Sequence, residues 1–406
     1  MARQETSDKT PEIVVVGAGP AGLTAAIALA VAGVETVLVG KRPDRADNRT
    51  SALLAGSVAA LDVLGVWEAC RAHSEPLRTM RLVDDTQRLL RAPEVSFSAS
   101  EIGLEAFGSN IENVHLIAAL EARAAALAQL TRIDAAAARV TIGEHAAAVA
   151  LDDGRKVAAP LVVGADGRKS LCRAAAGIAT DGSTYPQAAL TLNFAHARPH
   201  HGISTEFHTE TGPFTLVPLP GDRSSLVCVV EPAEADRLAA LDADTLSETI
   251  ERRSHSILGK VAVEPGRGVF RLGVETAVRF AANRIALVGE AAHVIPPIGA
   301  QGLNLGLRDA ATIAELAVAA RRDGVDVGSD RVLAHYDRLR RPDVTARTVA
   351  VDMLNRSLLA DFLPVHGLRG LGLYLVDRIG PLRRAVMREG VAPTAFEPRL
   401  MQGKTL

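Results

Sequence analysis

The feature that most constrains the fold is an uncharged run at residues 13–34. Its length alone would suit a membrane span. However, consecutive valines lead directly into Gly-Ala-Gly-Pro-Ala-Gly at 17–22, and a second β-branched run follows at 36–39. A strand that enters a glycine-rich turn, a helix and a second strand is a βαβ unit. The sequence therefore predicts a nucleotide-binding unit here and argues against a membrane helix.

The spacing of the glycines in this turn indicates what each one does. Gly17 makes the tight turn, Gly19 lets the backbone approach a pyrophosphate, and Gly22 lets the helix pack closely on the strand. In a strand-turn-helix context this spacing favours dinucleotide binding over a purely structural turn. The predicted cofactor contacts in the turn are Gly17, Ala18, Gly19, Pro20, Ala21 and Gly22.

The acid that usually follows about 20 residues later, where it holds the ribose hydroxyls, is missing. Gly40 occupies the matching position, and Lys41 and Arg42 come next. The two basic residues fit either a 2′-phosphate contact or a solvated turn. Arg42 is kept as a candidate cofactor contact, and the ribose contact stays unassigned.

A second strand end with glycine and an acid lies at 160–173. An apolar run ends in Gly164, Asp166 and Gly167, before a basic helix start that contains Lys169. Asp166 is placed where the carboxyl end of a strand meets a ligand cleft, and it also suits the N-cap of the next helix. Both roles can hold together, so Asp166 is a candidate cofactor contact.

A third such strand end lies at 284–309. An apolar run delivers Gly289 and Glu290, and prolines and glycines then exclude regular structure until a helix starts at Leu303. A glycine-rich helix start presents unpaired N–H groups and the positive end of the helix dipole, which suits a phosphate or a reduced flavin anion. An ordinary strand-turn-helix joint explains the same pattern on physical grounds.

Composition narrows the classes of function. The 406 residues are 48% hydrophobic and 23% charged, with a net charge of -2, which indicates a globular chain without the basic footprint of a nucleic-acid-binding protein. Three separated cysteines support neither a disulfide framework nor a metal site, and they fit a reducing cytoplasm. No metal is expected, because four histidines in the 190–230 region lack neighbouring ligands and are interpreted as exposed loop residues: His196, His200, His201 and His208.

Alternating segments predict a second sheet. Residues 80–95 predict a hairpin, and 190–230 predict a mixed or antiparallel substrate sheet, both outside the nucleotide-binding sheet. Residues 268–278 are predicted to return the chain to the first sheet. The segment 49–67 is interpreted as a loop that enters a helix capped by Ser57.

The remaining segments are helical. Residues 116–130 predict an alanine-rich helix whose Glu121 and Arg123 face solvent. Further helices are predicted at 311–320 and 332–354, with a kink or cap at 340–342. The basic, amphipathic stretch 361–390 suits helices packed on the body or on another subunit, and it also suits a membrane surface.

Together, the three strand ends indicate one long cofactor lying across a sheet of discontinuous segments. Residues 17–22, 164–167 with Ser170 and Arg173, and 289–309 resemble the three FAD motifs of single-component flavoprotein aromatic hydroxylases, the p-hydroxybenzoate hydroxylase-like class. Within that class, the segments IPPIGAQGLNLGLRDA, RTSALL and YDRLRRPDVTAR with the following MLNRSL resemble the ubiquinone-biosynthesis hydroxylases. The resemblance covers most of the chain.

This resemblance implies an α/β fold, with a discontinuous Rossmann-like FAD-binding domain, an inserted mixed or antiparallel-sheet substrate domain and C-terminal helices. The implied segments are 12–77, 106–187 and 276–340 for the FAD-binding domain, 78–105 for a substrate-domain hairpin, 188–275 for the substrate-domain sheet and 341–406 for a C-terminal helical tail.

The resemblance also implies roles for single residues. The glycines of the first turn would hold the FAD pyrophosphate, and Asp166 would belong to a motif shared by FAD and the nicotinamide. Glu290, where relatives usually have Asp or Asn, would face the ribityl chain beside Gly289. The other implied flavin contacts are Arg49, Gly302, Leu303 and Asn304, and the catalytic candidates that shape the oxygen side are Pro296 and Pro297.

The implied activity is FAD-dependent monooxygenation with NAD(P)H as electron donor. A flavin hydroperoxide would transfer oxygen to the ring of a polyprenylated phenol during ubiquinone biosynthesis. No general base is assigned, and His293 is interpreted as a packed or capping histidine. Gly40, Glu290 and Val114, which stands where relatives often carry Arg, depart from the family pattern.

Three alternatives stay open: a hydroxylase of a soluble aromatic compound, an FAD-dependent prenyl reductase, and a non-catalytic FAD-bound member of a biosynthetic complex. The expected partners are a small aromatic substrate and O2, with no nucleic acid. The expected location is cytoplasmic, and a peripheral membrane contact, membership of a ubiquinone-biosynthesis complex and a homo-oligomer are left open.

Overall fold

A computed structural model describes residues 11–42, 49–86, 91–297, 299–359, 374–375, 378–391 and 396–406. The strands are β1 (Ile13–Val16), β2 (Thr36–Val39), β3 (Thr50–Leu54), β4 (Ser74–Pro76), β5 (Thr79–Asp84), β6 (Val95–Ser98), β7 (Gly108–Glu112), β8 (Leu130–Ile133), β9 (Ala137–Ile142), β10 (Ala147–Leu151), β11 (Lys156–Ala159), β12 (Leu161–Gly164), β13 (Thr180–His196), β14 (Ile203–Thr209), β15 (Gly212–Leu219), β16 (Arg223–Val230), β17 (Val261–Val263), β18 (Gly268–Ala277), β19 (Ala281–Ala282), β20 (Ile285–Leu287) and β21 (His293–Val294). The helices are α1 (Pro20–Val31), α2 (Ala55–Val63), α3 (Trp67–Arg71), α4 (Asn113–Ala125), α5 (Leu171–Ala175), α6 (Pro232–Ala240), α7 (Ala243–Arg253), α8 (Gln301–Arg322), α9 (Asp330–Leu359) and α10 (Gly380–Val391).

The six-stranded sheet has the order β19-β20-β12-β1-β2-β8. Its pairs are parallel except β19–β20. The valine-rich β1 is completely buried, as a central strand of a parallel sheet covered on both faces must be. Pro20 begins α1, because its fixed φ suits the first turn of a helix. The predicted βαβ unit is confirmed.

A second, nine-stranded sheet, here called the long sheet, has the order β21-β18-β13-β16-β15-β14-β5-β6, with β17 paired to β13. It is mixed, because β14 and β5 run parallel and the other pairs antiparallel. The predicted hairpin and mixed sheet are confirmed. The prediction for 268–278 is wrong: β18 pairs with β13 inside the long sheet, and the chain re-enters the six-stranded sheet only at β19.

The two faces of the long sheet have different neighbours. On one face, Phe214 and Leu226 join a buried cluster with Leu246 and Ile250 of α7. The opposite face looks toward β3, since the Thr50 hydroxyl donates to the Ser225 hydroxyl (2.9 Å). This face therefore opposes the half of the molecule that carries the glycine-rich turns.

The segment that begins at residue 49 forms a strand where the sequence predicted a loop. β3 pairs antiparallel with β7 in a three-stranded sheet. Ser57 does not cap α2, whose N-cap is Leu54. Its hydroxyl instead donates to Asn304 Oδ1 (2.7 Å), so it ties α2 to the start of α8.

Two helix predictions need correction. The helix predicted at 116–130 ends earlier, because β8 begins within that range. Glu121 and Arg123 do not simply face solvent: Glu121 accepts a hydrogen bond from Arg132 (3.1 Å), and Arg123 donates to the Leu64 carbonyl (2.8 Å).

α9 runs from Asp330 to Leu359 with Pro342 inside it, so the prediction of a cap there is wrong. Arg340, two residues before Pro342, is fully buried and donates to Asp309 of α8 (2.7 Å). Part of the predicted tail, 361–373, lies outside the described residues. Within the described part of the chain, no helix has the length and apolarity that a membrane crossing requires.

Candidate functional site

The first glycine turn joins β1 to α1 in backbone contact with the end of β12. Gly17 has φ +113°, and a Cβ there would lie 2.1 Å from the Ala165 carbonyl oxygen. A Cβ on Gly22 would lie 1.9 Å from the Gly17 carbonyl oxygen. Both positions therefore require glycine for packing, before any ligand is considered.

Gly19 differs from these two glycines. No atom lies within 4 Å of the place where its Cβ would be. It is the N-cap of α1, and no side chain caps that helix, so the first N–H groups are available to an anion. The open space above Gly19 and the uncapped helix start fit a pyrophosphate, and thus fit FAD.

The turn forms one wall of a cleft of about 400 Å³. The other walls come from the carboxyl end of β2, the residues after β8 and the residues after β12. The lining residues are Val16, Gly17, Ala18, Gly19, Val39, Gly40, Lys41, Ala136, Ala137, Ala165, Asp166, Lys169 and Leu171. The cleft therefore lies where the carboxyl ends of parallel strands meet, which is the usual ligand position in such sheets.

Asp166 lies in this cleft and also braces the next helix. Its carboxylate accepts hydrogen bonds from the Ser170 hydroxyl (2.5 Å) and the Cys172 backbone N–H (3.1 Å). The N-cap of α5 is Ser170, which accepts from the Arg173 N–H (2.9 Å). The prediction of Asp166 as the cap is therefore wrong in detail, because Asp166 orients the capping serine.

The missing ribose acid has a steric explanation. A Cβ on Gly40 would lie 2.6 Å from the Ala18 nitrogen. Lys41 forms an ion pair with Asp152 (2.7 Å), and the Arg42 N–H donates to Asp134 (3.0 Å). Arg42 is exposed and is not among the residues that line the cleft, so the structure favours its interpretation as part of a solvated turn.

The third glycine stretch packs against the first. Gly289 follows β20 with φ +62°, and a Cβ there would lie 3.3 Å from the Ala21 methyl group. Its N–H donates to Asp309 Oδ2 (3.0 Å). Glu290 is exposed. The structure thus brings together the two glycine turns that the sequence separates by more than 260 positions, Gly22 to Gly289.

The start of α8 is also an uncapped helix end. Its N-cap, Ala300, has a left-handed backbone conformation (φ +54°), and no side chain caps the helix. The helix begins at Gln301, two residues before the predicted start at Leu303. Gly302 has no atom within 4 Å of its Cβ position. Pro296 is buried and Pro297 exposed in the segment that leads to this helix.

Asn304 uses its side chain within the protein. Its Nδ2 donates to the Ala52 carbonyl (2.8 Å), and its Oδ1 accepts from the Leu54 N–H (2.8 Å). Only its backbone is thereby left for a flavin contact. Arg49, just before β3, is exposed and places its guanidinium 5.2 Å from the centre of the Phe270 ring on the long sheet.

A buried ionic network lies behind Gly289, and sequence analysis missed it. Asp309 is fully buried and accepts from His293 Nε2 (2.7 Å) and Arg340 Nε (2.7 Å). Burial opposes its ionisation, but His293 and Arg340 hold the pKa of Asp309 below its usual range. The prediction of His293 as a packed histidine is confirmed. The sequence signal for this network is an acid, Asp309, among the apolar residues on the buried face of α8.

The four histidines of the second sheet do not behave alike. In the β13–β14 turn His201 is exposed and His200 is half-buried, whereas His196 and His208 are buried in strands. The prediction of exposed loop histidines is therefore confirmed for His201 and wrong for His196 and His208. Among the described residues, no group of three or more His, Cys, Asp or Glu could hold a metal ion.

Comparisons with known proteins agree with this geometry. A family model described as an FAD binding domain matches residues 10–350. The chain is 37% identical to ubiquinone hydroxylase UbiL of Rhodospirillum rubrum, over 99% of this chain and 95% of that protein. It is 30% identical to 3-demethoxyubiquinol 3-hydroxylase of Escherichia coli, over 94% and 98% of the two chains.

Solved structures share the fold. p-Nitrophenol 4-monooxygenase PnpA from Pseudomonas putida DLL-E4 superposes with a TM-score of 0.77 at 19% identity, over 94% of this chain and 97% of that one. At this identity the likeness shows the fold alone. The α/β fold class predicted from the sequence is confirmed.

Proposed function

The chain belongs to the FAD binding domain family that includes ubiquinone hydroxylases, and we propose that it hydroxylates the aromatic ring of a polyprenylated phenol in ubiquinone biosynthesis. It is an FAD-dependent monooxygenase, with NAD(P)H as the electron donor typical of the class. The observation that carries the proposal is the packing of Gly289 against both Ala21 of α1 and Gly306 of α8, which places two helices with uncapped starts side by side. The long sheet faces this assembly across β3.

Each cofactor-binding role follows from a local feature. The turn at 17–22 would hold the pyrophosphate, because Gly19 leaves space there and the first N–H groups of α1 are uncapped. Asp166, which lines the cleft beside this turn, would also contact the cofactor. Gly289 and Glu290 would lie along the ribityl chain.

The start of α8 would hold the isoalloxazine ring. The backbone N–H groups of Gly302, Leu303 and Asn304 belong to the first helical turn, where the dipole stabilises negative charge on a reduced ring. Pro296 and Pro297 carry no N–H, so that segment would shape an oxygen-accessible wall without competing hydrogen bonds.

Bound FAD supplies the electron transfer and oxygen activation that side chains cannot provide. The protein binds and orients the cofactor, excludes water and positions the phenol. Asn304 contributes by fixing β3 to α8, so that the sheet face and the helix start keep one spacing.

The test uses purified protein loaded with FAD, reduced with NADPH or NADH without oxygen and then exposed to O2 with a prenylated phenol. We expect bleaching, recovery of the flavin spectrum and a hydroxylated product. A matched phenol without the prenyl chain is the control for substrate class. Faster turnover of the short phenol would favour a hydroxylase of soluble aromatics, and oxygen-independent loss of a prenyl double bond would favour the reductase.

We also propose that α10 contacts an anionic membrane surface. Leu382 and Val386 are one turn apart on this helix, Ile379 directly precedes it, and the three side chains are 40%, 47% and 44% exposed. The inner side is held to the body, because Met387 is buried against Phe107. Arg384 and Arg388, one turn apart on the other side of the helix, are also exposed. A helix that exposes both an apolar stripe and cations suits a membrane interface.

Co-sedimentation with vesicles tests this surface. The combined change Leu382→Glu and Val386→Glu should abolish binding to phosphatidylglycerol vesicles, and salt should weaken the binding of the unchanged protein. Val278→Glu is the matched control, since Val278 is 48% exposed elsewhere. Equal sedimentation of all three proteins would refute the contact. We also propose that the FAD-binding and substrate domains meet at 77/78, 105/106, 187/188 and 275/276, with the C-terminal tail from 341, which limited proteolysis would test.

A further inference from the structure

One face of the long sheet carries a partly buried acid and a buried imidazole that the proposed function has not used. Glu206 and His208 are two residues apart on β14, so their side chains share a face. Phe207 between them points into the opposite cluster, together with Phe214. Glu206 and His208 therefore lie on the face that looks toward β3.

The two side chains form a defined pair. His208 Nε2 lies 2.8 Å from Glu206 Oε1, and the Thr215 hydroxyl donates to Glu206 Oε2 (3.2 Å). The side chains of His208 and Glu206 are only 5% and 16% exposed. The second ring nitrogen, Nδ1, makes no hydrogen bond with any residue that the structure describes. Glu206 thus orients the imidazole ring of His208 and leaves its Nδ1 without a hydrogen bond among the described residues.

Strand register places this pair two strands away from the residue that contacts β3. Glu206 is opposite Thr215 on β15, and Thr215 is opposite Val227 on β16. Ser225, two positions from Val227, is the residue that contacts Thr50. With strand spacing of about 4.8 Å and a rise of about 3.4 Å per residue, Glu206 lies roughly 12 Å from Ser225.

The surroundings support a chemical role for the pair. Val217 and Val227 share its face by strand alternation, and such an apolar wall suits an aromatic ring. The carboxylate of Asp84, on the neighbouring strand β5, accepts hydrogen bonds from the Thr86 hydroxyl and the Ala92 N–H. A histidine oriented by an acid, with its other nitrogen free, is the arrangement of a general base.

We propose that His208, oriented by Glu206, removes the hydroxyl proton of the phenolic substrate. The O–H bond breaks, its electron pair stays on the phenol oxygen, and an N–H bond forms at Nδ1. Glu206 stabilises the resulting imidazolium. A phenolate ring is richer in electrons than a phenol, which favours attack on an electrophilic oxygen. This inference rests on the proposed hydroxylation of a phenol.

A chromophoric phenol tests the proton step without turnover. The probe is a 4-nitrophenol with an alkyl chain beside the hydroxyl, bound to the oxidised, FAD-loaded protein without reductant. Binding to the unchanged protein should raise the phenolate absorbance at constant pH. His208→Asn should lose this rise. His201→Asn, a change in the exposed turn where left-handed backbone (φ +55°) accepts Asn, should keep it.

Kinetics give a second readout. A general base typically contributes 10²- to 10⁴-fold, so kcat of His208→Asn should fall at least about 100-fold while KM changes little. Glu206→Gln keeps the side-chain shape and should lower kcat less, which also covers the case in which the His208 variant does not fold. An unchanged phenolate signal in either variant would overturn the proposal. Phenolate formation without any hydroxylated product would count instead against the proposed function.

Discussion

Gly19→Ala should separate cofactor binding from folding. Gly19 has φ -73° and ψ 173°, which alanine adopts without strain, and no protein atom lies within 4 Å of the added Cβ. The apoprotein should therefore remain at least as stable, and the lower entropy of the unfolded chain could add about 0.4–1 kcal/mol.

With FAD present, the new methyl group would occupy the space assigned to the pyrophosphate. Overpacking a filled site costs about 1–3 kcal/mol, and each 1.4 kcal/mol is tenfold in Kd. The Kd for FAD should therefore rise by roughly 5- to 150-fold.

Titrating apoprotein into FAD and following flavin fluorescence gives this Kd, and urea unfolding gives the free energy of unfolding. Gly390→Ala is the matched control, because its Cβ position is also open and Gly390 does not line the cleft. An unchanged Kd in a folded Gly19→Ala variant would refute the placement of the pyrophosphate. Unfolding of the apoprotein variant would refute the reasoning on space.

Three further predictions concern packing and charge. Gly40→Glu should weaken FAD binding instead of restoring a ribose contact, because its Cβ would lie 2.6 Å from the backbone of the 17–22 turn; FAD titration measures this. Asp309→Asn should lower the free energy of unfolding by about 3–5 kcal/mol, since it leaves buried Arg340 without its charged partner. Burial opposes the ionisation of Asp309, but His293 and Arg340 depress its pKa. The contribution of Asp309 to the free energy of unfolding is therefore fully present above the unfolded pKa of about 3.9 and is lost as pH falls through the folded pKa. Urea titrations at several pH values test this. The three cysteines are buried, so a thiol reagent should react with them only as fast as the surrounding structure opens.

Local pattern was enough to predict the nucleotide-binding core. The valine run, the glycine spacing and Pro20 each act within a few residues, so the sequence alone indicated β1, the turn and α1. The packing of Gly289 on Ala21 was not predicted, because it depends on the order of strands in the sheet.

The missed features depend on partners distant in sequence. β3 is a short strand that exists because it pairs with β7, and Ser57 turned out to bind Asn304, which lies 247 positions away. His208 was predicted to be an exposed loop residue, yet it lies in a strand that pairs in parallel with β5. Asp309 and Arg340 meet only after α8 and α9 pack together.

The most direct test of the central claim is the fate of labelled oxygen. FAD-loaded protein, NADPH and a prenylated phenol are incubated under isotopically labelled O2, and the product is analysed by mass spectrometry. We predict one labelled oxygen atom on the aromatic ring, with the prenyl chain unchanged. A product without label, or a ring left intact while NADPH is consumed, would contradict the assignment as a ring-hydroxylating monooxygenase.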